Sequence, residues 1–247
     1  FGGGDWAVTM GVYVLNGLVV VLTGLAVFYL KPEAPQSRAV LAFGVLWGLD
    51  FLLIPADLWT AGRLTALYVL LEPLVPVSVL HLGLCFPEVR SRRRLPLGWI
   101  YGGALLIGAL QVWAFWHAFW WLVAVSDAVN LSVGVAGIFA LGSIAAAAIG
   151  RRASPLAKRR ARVVLVGATV AFGIPIPAYL AFFLFEQPVS TNLLISTGFI
   201  FPLSIGYAVA RHDLFEADRF VKQSLVYATL TALVALLYGG AVFLSER

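Results

Sequence analysis

Five ionisable residues lie inside the long apolar runs of this sequence, and they are the first candidates for chemistry: Asp50, Asp57, Glu72, His81 and Asp127. If these runs cross a membrane, such groups are costly and mark functional sites or strong interhelical contacts. Glu72 directly precedes Pro73, and Asp127 forms a polar turn with Ser126 and Asn130. Asp57 lies near the end of its run, where we expect it to meet water. Three interpretations remain open for the deeper groups: hydrogen bonds that fix helix packing, a polar ligand pocket, and a proton or ion path.

His81 and Cys85 are four residues apart, so on one helix face they could offer two metal ligands. The sequence has no CxxC, HExxH or second histidine cluster that would complete a metal site. It also lacks a Walker loop, a GxSxG motif and a dinucleotide-binding fingerprint. We therefore predict no metal, no cofactor and no catalytic residue in this region.

A second candidate region is aromatic and surrounds His117, with six aromatic neighbours: Trp113, Phe115, Trp116, Phe119, Trp120 and Trp121. Indole rings prefer the headgroup layer of a membrane, which favours an aromatic belt. A cap that stacks on a ligand is the alternative. The candidate ligand-binding residues predicted from the two regions together are Glu72, Asp127, Asn130, Trp113, Trp116, His117 and Trp120.

The composition identifies the elements that must position these residues. Of the 247 residues, 61% are apolar and 12% are charged, against about 45–50% and 25% in soluble domains. A spanning helix needs about 20 apolar residues. The sequence therefore predicts an all-α polytopic membrane protein with eight spans: Ala7–Leu30, Ala39–Trp59, Leu64–Phe86, Leu97–Trp116, Leu122–Ile149, Val163–Phe185, Leu193–Ala210 and Leu225–Leu244.

Basic residues predict the orientation of these spans. The net charge is +5, and 15 of the 17 Lys and Arg residues lie in the first, third, fifth and seventh connections. Such connections face the cytoplasm, so the N-terminus is expected outside. The basic excess therefore indicates membrane topology, and we predict a lipid bilayer and no nucleic acid as partner. Two prolines, Pro73 and Pro76, predict that the third span is the most irregular, as a packing kink or as a hinge.

The stretch from Arg211 to Gln223 mixes charges with apolar residues just before the last span. Asp213 and Glu216 have the spacing of a capping box. Such a segment lies in the plane of the membrane interface. It is either a surface connector or an element that couples helix motion to another domain.

Three segments carry a resemblance to a known family. The first is Tyr207–Asp218, which contains Arg211 and the Leu214-Phe215-Glu216 run and is followed by a helix with Leu225-Val226-Tyr227. The second is His81–Glu88, which ends in Phe86-Pro87-Glu88, and the third runs from Ser154-Pro155-Leu156 through Arg160 to Gly167. Together they resemble the multi-spanning N-terminal sensor regions of bacterial histidine kinases and related signalling proteins, including peptide-pheromone receptor kinases. The resemblance covers roughly residues 75–240.

The resemblance implies a sensory or ligand-binding input module in the bacterial cytoplasmic membrane, with a cytoplasmic output domain outside this chain. It implies a peptide or small hydrophobic ligand, a homodimer, and a chain that is part of a longer polypeptide. It divides the sequence into a lead-in (1–6), a seven-helix bundle (7–210), a coupling segment (211–223) and an eighth span (224–247). The coupling residues are Arg211, Asp213, Phe215, Asp218 and Tyr227. A non-catalytic subunit of a larger membrane complex and a transporter are the alternatives.

Overall fold

A computed structural model describes residues 3–88, 96–150, 153–173 and 197–213 of the chain. These residues form α-helices and contain no strand, as the sequence predicts. We number the described helices in chain order: α1 (Gly3–Leu30), α2 (Pro35–Trp59), α3 (Thr65–Leu71), α4 (Leu74–Cys85), α5 (Leu97–His117), α6 (Phe119–Ile149), α7 (Pro155–Phe172) and α8 (Ile200–Asp213).

Five of the described stretches are long and apolar enough to cross a membrane: Ala7–Leu30, Pro35–Trp59, Thr65–Cys85, Leu97–His117 and Phe119–Ile149. They correspond to the first five predicted spans, and α3 and α4 together make the third. The predicted sixth to eighth spans fall partly or wholly outside the described residues, so their crossing stays a prediction.

Two element boundaries differ from the prediction. We expected a loop between Trp116 and Leu122, but a single residue, Ala118, separates α5 from α6. The aromatic residues of the expected loop are therefore helical. Aromatic rings favour the membrane interface whether or not the backbone there is helical, so their clustering does not indicate a loop. We also expected the seventh span to end at Ala210, whereas α8 continues to Asp213. Polarity ends a span without ending a helix, so the polar residues after Ala210 are still helical.

Small residues bring the helix backbones close together. A Cβ atom on Gly44 of α2 would lie 2.8 Å from the Cα atom of Gly24 on α1. Similarly, a Cβ atom on Gly83 of α4 would lie 2.7 Å from the Cα atom of Ala140 on α6. Ser143 adds a hydrogen bond from its hydroxyl to the Gly83 carbonyl at 2.7 Å. Close backbone approach and hydroxyl bonds of this kind hold helices together in lipid.

The chain divides into two compact units, Phe1–Ala208 and Val209–Arg247. In the first unit, the start of α8 packs against the bundle through Phe201, whose ring lies 6.1 Å from that of Phe43 on α2. Just before α8, the Thr197 hydroxyl donates to the Ala171 carbonyl of α7 at 2.7 Å. Of the second unit, only residues 209–213 are described, and they continue α8.

Candidate functional site

The third span is broken at Glu72. Helix α3 ends at Leu71 and α4 begins at Leu74, with Glu72 and Pro73 between them. Pro73 and Pro76 carry no backbone N–H, so two donors of a continuous helix are missing at this point. The predicted irregularity of this span is confirmed, and it places an acidic residue at the break.

The Glu72 carboxylate is buried and joins three spans. Its side chain is 5% exposed. The Gln111 amide Nε2 of α5 donates to Glu72 Oε2 at 3.0 Å, and the Ser126 hydroxyl of α6 donates to the same oxygen at 2.7 Å. Hydrogen bonds to a charged acceptor are stronger than neutral ones. The Glu72 carboxylate therefore fixes the positions of α5 and α6 relative to the break.

Three further polar groups surround this carboxylate. Asp50 of α2 is close enough to Glu72 to interact electrostatically with it. Tyr68 of α3 interacts with both carboxylates, and Tyr13 of α1 interacts with Asp50. We call these residues the Glu72 cluster: Tyr13, Asp50, Tyr68, Glu72, Gln111 and Ser126.

Four members of the cluster, Asp50, Glu72, Gln111 and Ser126, lie at one depth. Glu72 follows the start of α3 by seven residues and Asp50 precedes the end of α2 by nine. Gln111 precedes the end of α5 by six, and Ser126 follows the start of α6 by seven. At about 1.5 Å per residue, each is roughly 9–14 Å from its helix end. The ends of α5 and α6 meet at the aromatic region, and Val69 of α3 packs beside it against Ala114 and Leu122. The four residues therefore lie in the half of the spans next to the aromatic region.

Gln111 leaves one polar atom of the cluster unpaired. Its side chain is 1% exposed, and its Oε1 atom has no hydrogen-bond partner among the described residues. One turn earlier on α5, Gly108 lies so close to α3 that a Cβ atom there would collide with the Leu70 carbonyl. This close approach brings the Gln111 amide to Glu72. A buried acceptor without a donor is costly, so this oxygen is an open position in the site.

The charge of the cluster is not balanced by a nearby base. The eight predicted spans contain no Lys and no Arg. Two carboxyl groups, two phenols, an amide and a hydroxyl can bind a cation, a proton or a polar ligand. Among the described residues, no three His, Cys, Asp or Glu side chains lie close enough together to hold a metal ion.

The structure separates the predicted ligand-binding residues into two groups. Glu72 is in the cluster, but Asp127 and Asn130 lie on the exposed face of α6. Trp113, Trp116, His117 and Trp120 are also exposed, Trp120 by 86%. The rings of Trp113 and His117 stack on each other, with centroids 5.2 Å apart. Among the described residues, none of these exposed side chains has a recorded contact with Glu72. Their role in binding a ligand stays a prediction.

Gln111, Tyr13 and Tyr68 are cluster members that the sequence analysis missed. Gln111 carries a signal that could have found it, because an amide in the middle of a 21-residue apolar helix is uncommon. The two tyrosines carry none, since phenols are ordinary in membrane helices near an interface.

His81 and Cys85 do not form a site together. The His81 Nδ1 atom lies 3.2 Å from the Tyr101 hydroxyl of α5, in hydrogen-bond contact. Cys85 is a buried free thiol. Of the predicted coupling residues, Arg211 and Asp213 lie in α8, whereas Phe215, Asp218 and Tyr227 lie outside the described residues.

Two of the segments that carry the family resemblance contact each other at the far end of α4. The Ser154 hydroxyl donates to Glu88 Oε2 at 2.9 Å and also caps α7 by accepting from the Ala157 amide at 3.1 Å. The Arg160 guanidinium donates to the Pro87 carbonyl at 3.3 Å. Burial lowers the pKa of Arg160, and the Glu88 carboxylate opposes this shift. These bonds tie the end of α4 to the start of α7.

Asp57 has a structural role that we did not predict. Its Oδ1 atom accepts from the Leu64 amide at 2.7 Å, and its Oδ2 atom accepts from the Thr65 hydroxyl at 2.6 Å. These bonds close the turn between α2 and α3, where Ala61 and Gly62 have positive φ angles of 53° and 82°.

We expect Asp57→Ala to lower the free energy of unfolding by about 1 kcal/mol, as the loss of a helix cap does. Asp57→Asn keeps one acceptor oxygen and should cost less. Thermal unfolding of the purified protein in lipid nanodiscs measures both. Equal stability of the wild type and Asp57→Ala would show that the turn does not need this carboxylate.

No family model, no curated protein and no solved structure matches the chain.

Proposed function

We propose that this chain is a membrane-embedded sensory or ligand-binding input module of a bacterial signal-transduction protein, which acts on a cytoplasmic output domain. The observation that carries the proposal is the buried Glu72 carboxylate at a helix break, held by donors from two other helices. A carboxylate in such a place is costly. It therefore favours a site whose occupancy changes how the helices pack.

The contacts of α4 supply a route from this site. One end of α4 starts at the Glu72–Pro73 break, and the other end leads to Pro87 and Glu88, which contact α7. A ligand that binds better to one arrangement of the Glu72 bonds shifts the population toward that arrangement. In our proposal α4 then moves as a rigid rod and displaces α7. In our proposal this end of α4 faces the cytoplasm, which the basic residues of the third and fifth connections favour.

The proposal is tested in the full-length protein by its output activity. Glu72→Gln keeps the size of the side chain but alters its hydrogen bonding and charge, so we expect the output to change by about 5–150-fold, the usual range of coupling between sites. Glu33→Gln is the matched control, because Glu33 is 95% exposed and pairs with Arg38 at 3.5 Å. Its output should stay within twofold of the wild type.

A properly folded Glu72→Gln protein with wild-type output would overturn the proposal. Ser154→Ala adds a second position on the route, at the contact between α4 and α7. We expect it to change the output in a protein that is still folded in the membrane.

A further inference from the structure

We infer that the Glu72 cluster binds one exchangeable monovalent cation, a proton or Na⁺, between Asp50 and Glu72, with Gln111 Oε1 as a further acceptor. This inference rests on the proposed function and deepens it, because it names the class of ligand at the same site.

The first step is the balance of charge. Asp50 and Glu72 interact electrostatically within the membrane-spanning helices, and the eight predicted spans hold no Lys or Arg. Two ionised carboxylates in a medium of low dielectric constant repel each other, and each pays a large desolvation cost. At least one positive charge must therefore accompany the pair.

The second step is the unpaired Gln111 oxygen. Gln111 is 1% exposed, its Nε2 atom points at Glu72, and its Oε1 atom has no described partner. A cation bound between Gln111 and Glu72 would satisfy the Oε1 atom and offset the negative charge of the two carboxylates. A proton does so through an O–H donor, and Na⁺ does so by direct coordination. Broken membrane helices supply sites for these two cations in other proteins.

The third step is the choice of a monovalent cation over a divalent one. Glu72 Oε2 already accepts two hydrogen bonds, so only the other carboxylate oxygen, Oε1, is fully available to coordinate a cation. The described residues also bring no third His, Cys, Asp or Glu side chain to the pair, so a divalent cation would lack the larger set of charged ligands that proteins usually give it. The groups that face the site from the helices around it are Tyr13 from α1, Asp50 from α2, Tyr68 from α3, Gln111 from α5 and Ser126 from α6.

The experiment follows thermal unfolding and infrared spectra of the full chain in lipid nanodiscs. If the cation is Na⁺, exchange of K⁺ for Na⁺ at constant pH should raise the unfolding midpoint by about 2–4 °C. If it is a proton, Na⁺ has no effect, the midpoint depends on pH, and the spectrum contains a protonated carboxyl band. Each response should persist in Glu33→Gln and be lost in Glu72→Gln.

Asp50→Asn is the second variant, so the test does not depend on the folding of Glu72→Gln alone. The inference is overturned if the midpoint responds to neither Na⁺ nor pH and no protonated carboxyl band disappears in either variant. These measurements concern binding and not output. If the cation response is present but Glu72→Gln leaves the output unchanged, this inference stands and the proposed function fails. If Glu72→Gln changes the output but the protein shows no cation response, the proposed function stands and this inference fails.

Discussion

Gly108→Ala is expected to lower the free energy of unfolding by about 1–3 kcal/mol, the cost of an added methyl group in a packed interior. The new Cβ atom would meet the Leu70 carbonyl, which is backbone and cannot rotate away. Helix α5 must therefore move away from α3. Because Gln111 is three residues further along α5, the same movement weakens the Gln111–Glu72 hydrogen bond.

Gly102→Ala is the matched control for this prediction. Gly102 lies on the same helix, and a Cβ atom there meets nothing within 4 Å. Because alanine favours a helix over glycine by up to about 1 kcal/mol, this variant should be neutral or slightly more stable. Thermal unfolding of both variants in the same nanodiscs gives the comparison. If the two alanines have the same effect, α5 does not pack against α3 as the structure has it.

These two glycines also show that the sequence does not reveal which face of a membrane helix packs against a neighbouring helix. Proline chemistry predicts the break at Pro73, and the cost of charge in lipid identifies Asp50 and Glu72 as candidates. Nothing in the sequence says that Gly108 faces a helix and Gly102 does not. In a soluble helix, polar residues mark the outer face. In lipid both faces are apolar, so this signal disappears.

Ser126 and Asp127 illustrate the same limit within the site. They are adjacent, and we treated them as one polar turn together with Asn130. Successive residues on a helix differ by about 100° in direction. Ser126 therefore reaches Glu72, while Asp127 lies on the exposed face of α6. Periodicity alone could separate the two residues, but only the packing of α6 decides which of them faces the cluster.

Gln111→Leu is expected to lower the free energy of unfolding by about 1–2 kcal/mol in the wild-type protein. In the Glu72→Leu variant, the same substitution should have almost no effect. Interhelical hydrogen bonds in membranes contribute up to about this amount. Removal of one partner leaves the buried carboxylate under-satisfied, whereas replacement of both partners by apolar groups removes the penalty. The effect of one substitution therefore depends strongly on the other.

A double-mutant cycle measures this dependence, using the wild type, Gln111→Leu, Glu72→Leu and the double variant unfolded in the same lipid. The control pair is Gln111→Leu with Glu33→Leu, because Glu33 is exposed and contacts Arg38 rather than the cluster. Distant sites add to within about 0.3–0.5 kcal/mol. Additivity of that quality between Gln111 and Glu72 would mean that the two side chains do not bond, and the cluster would then lose the contact that joins α5 to the helix break.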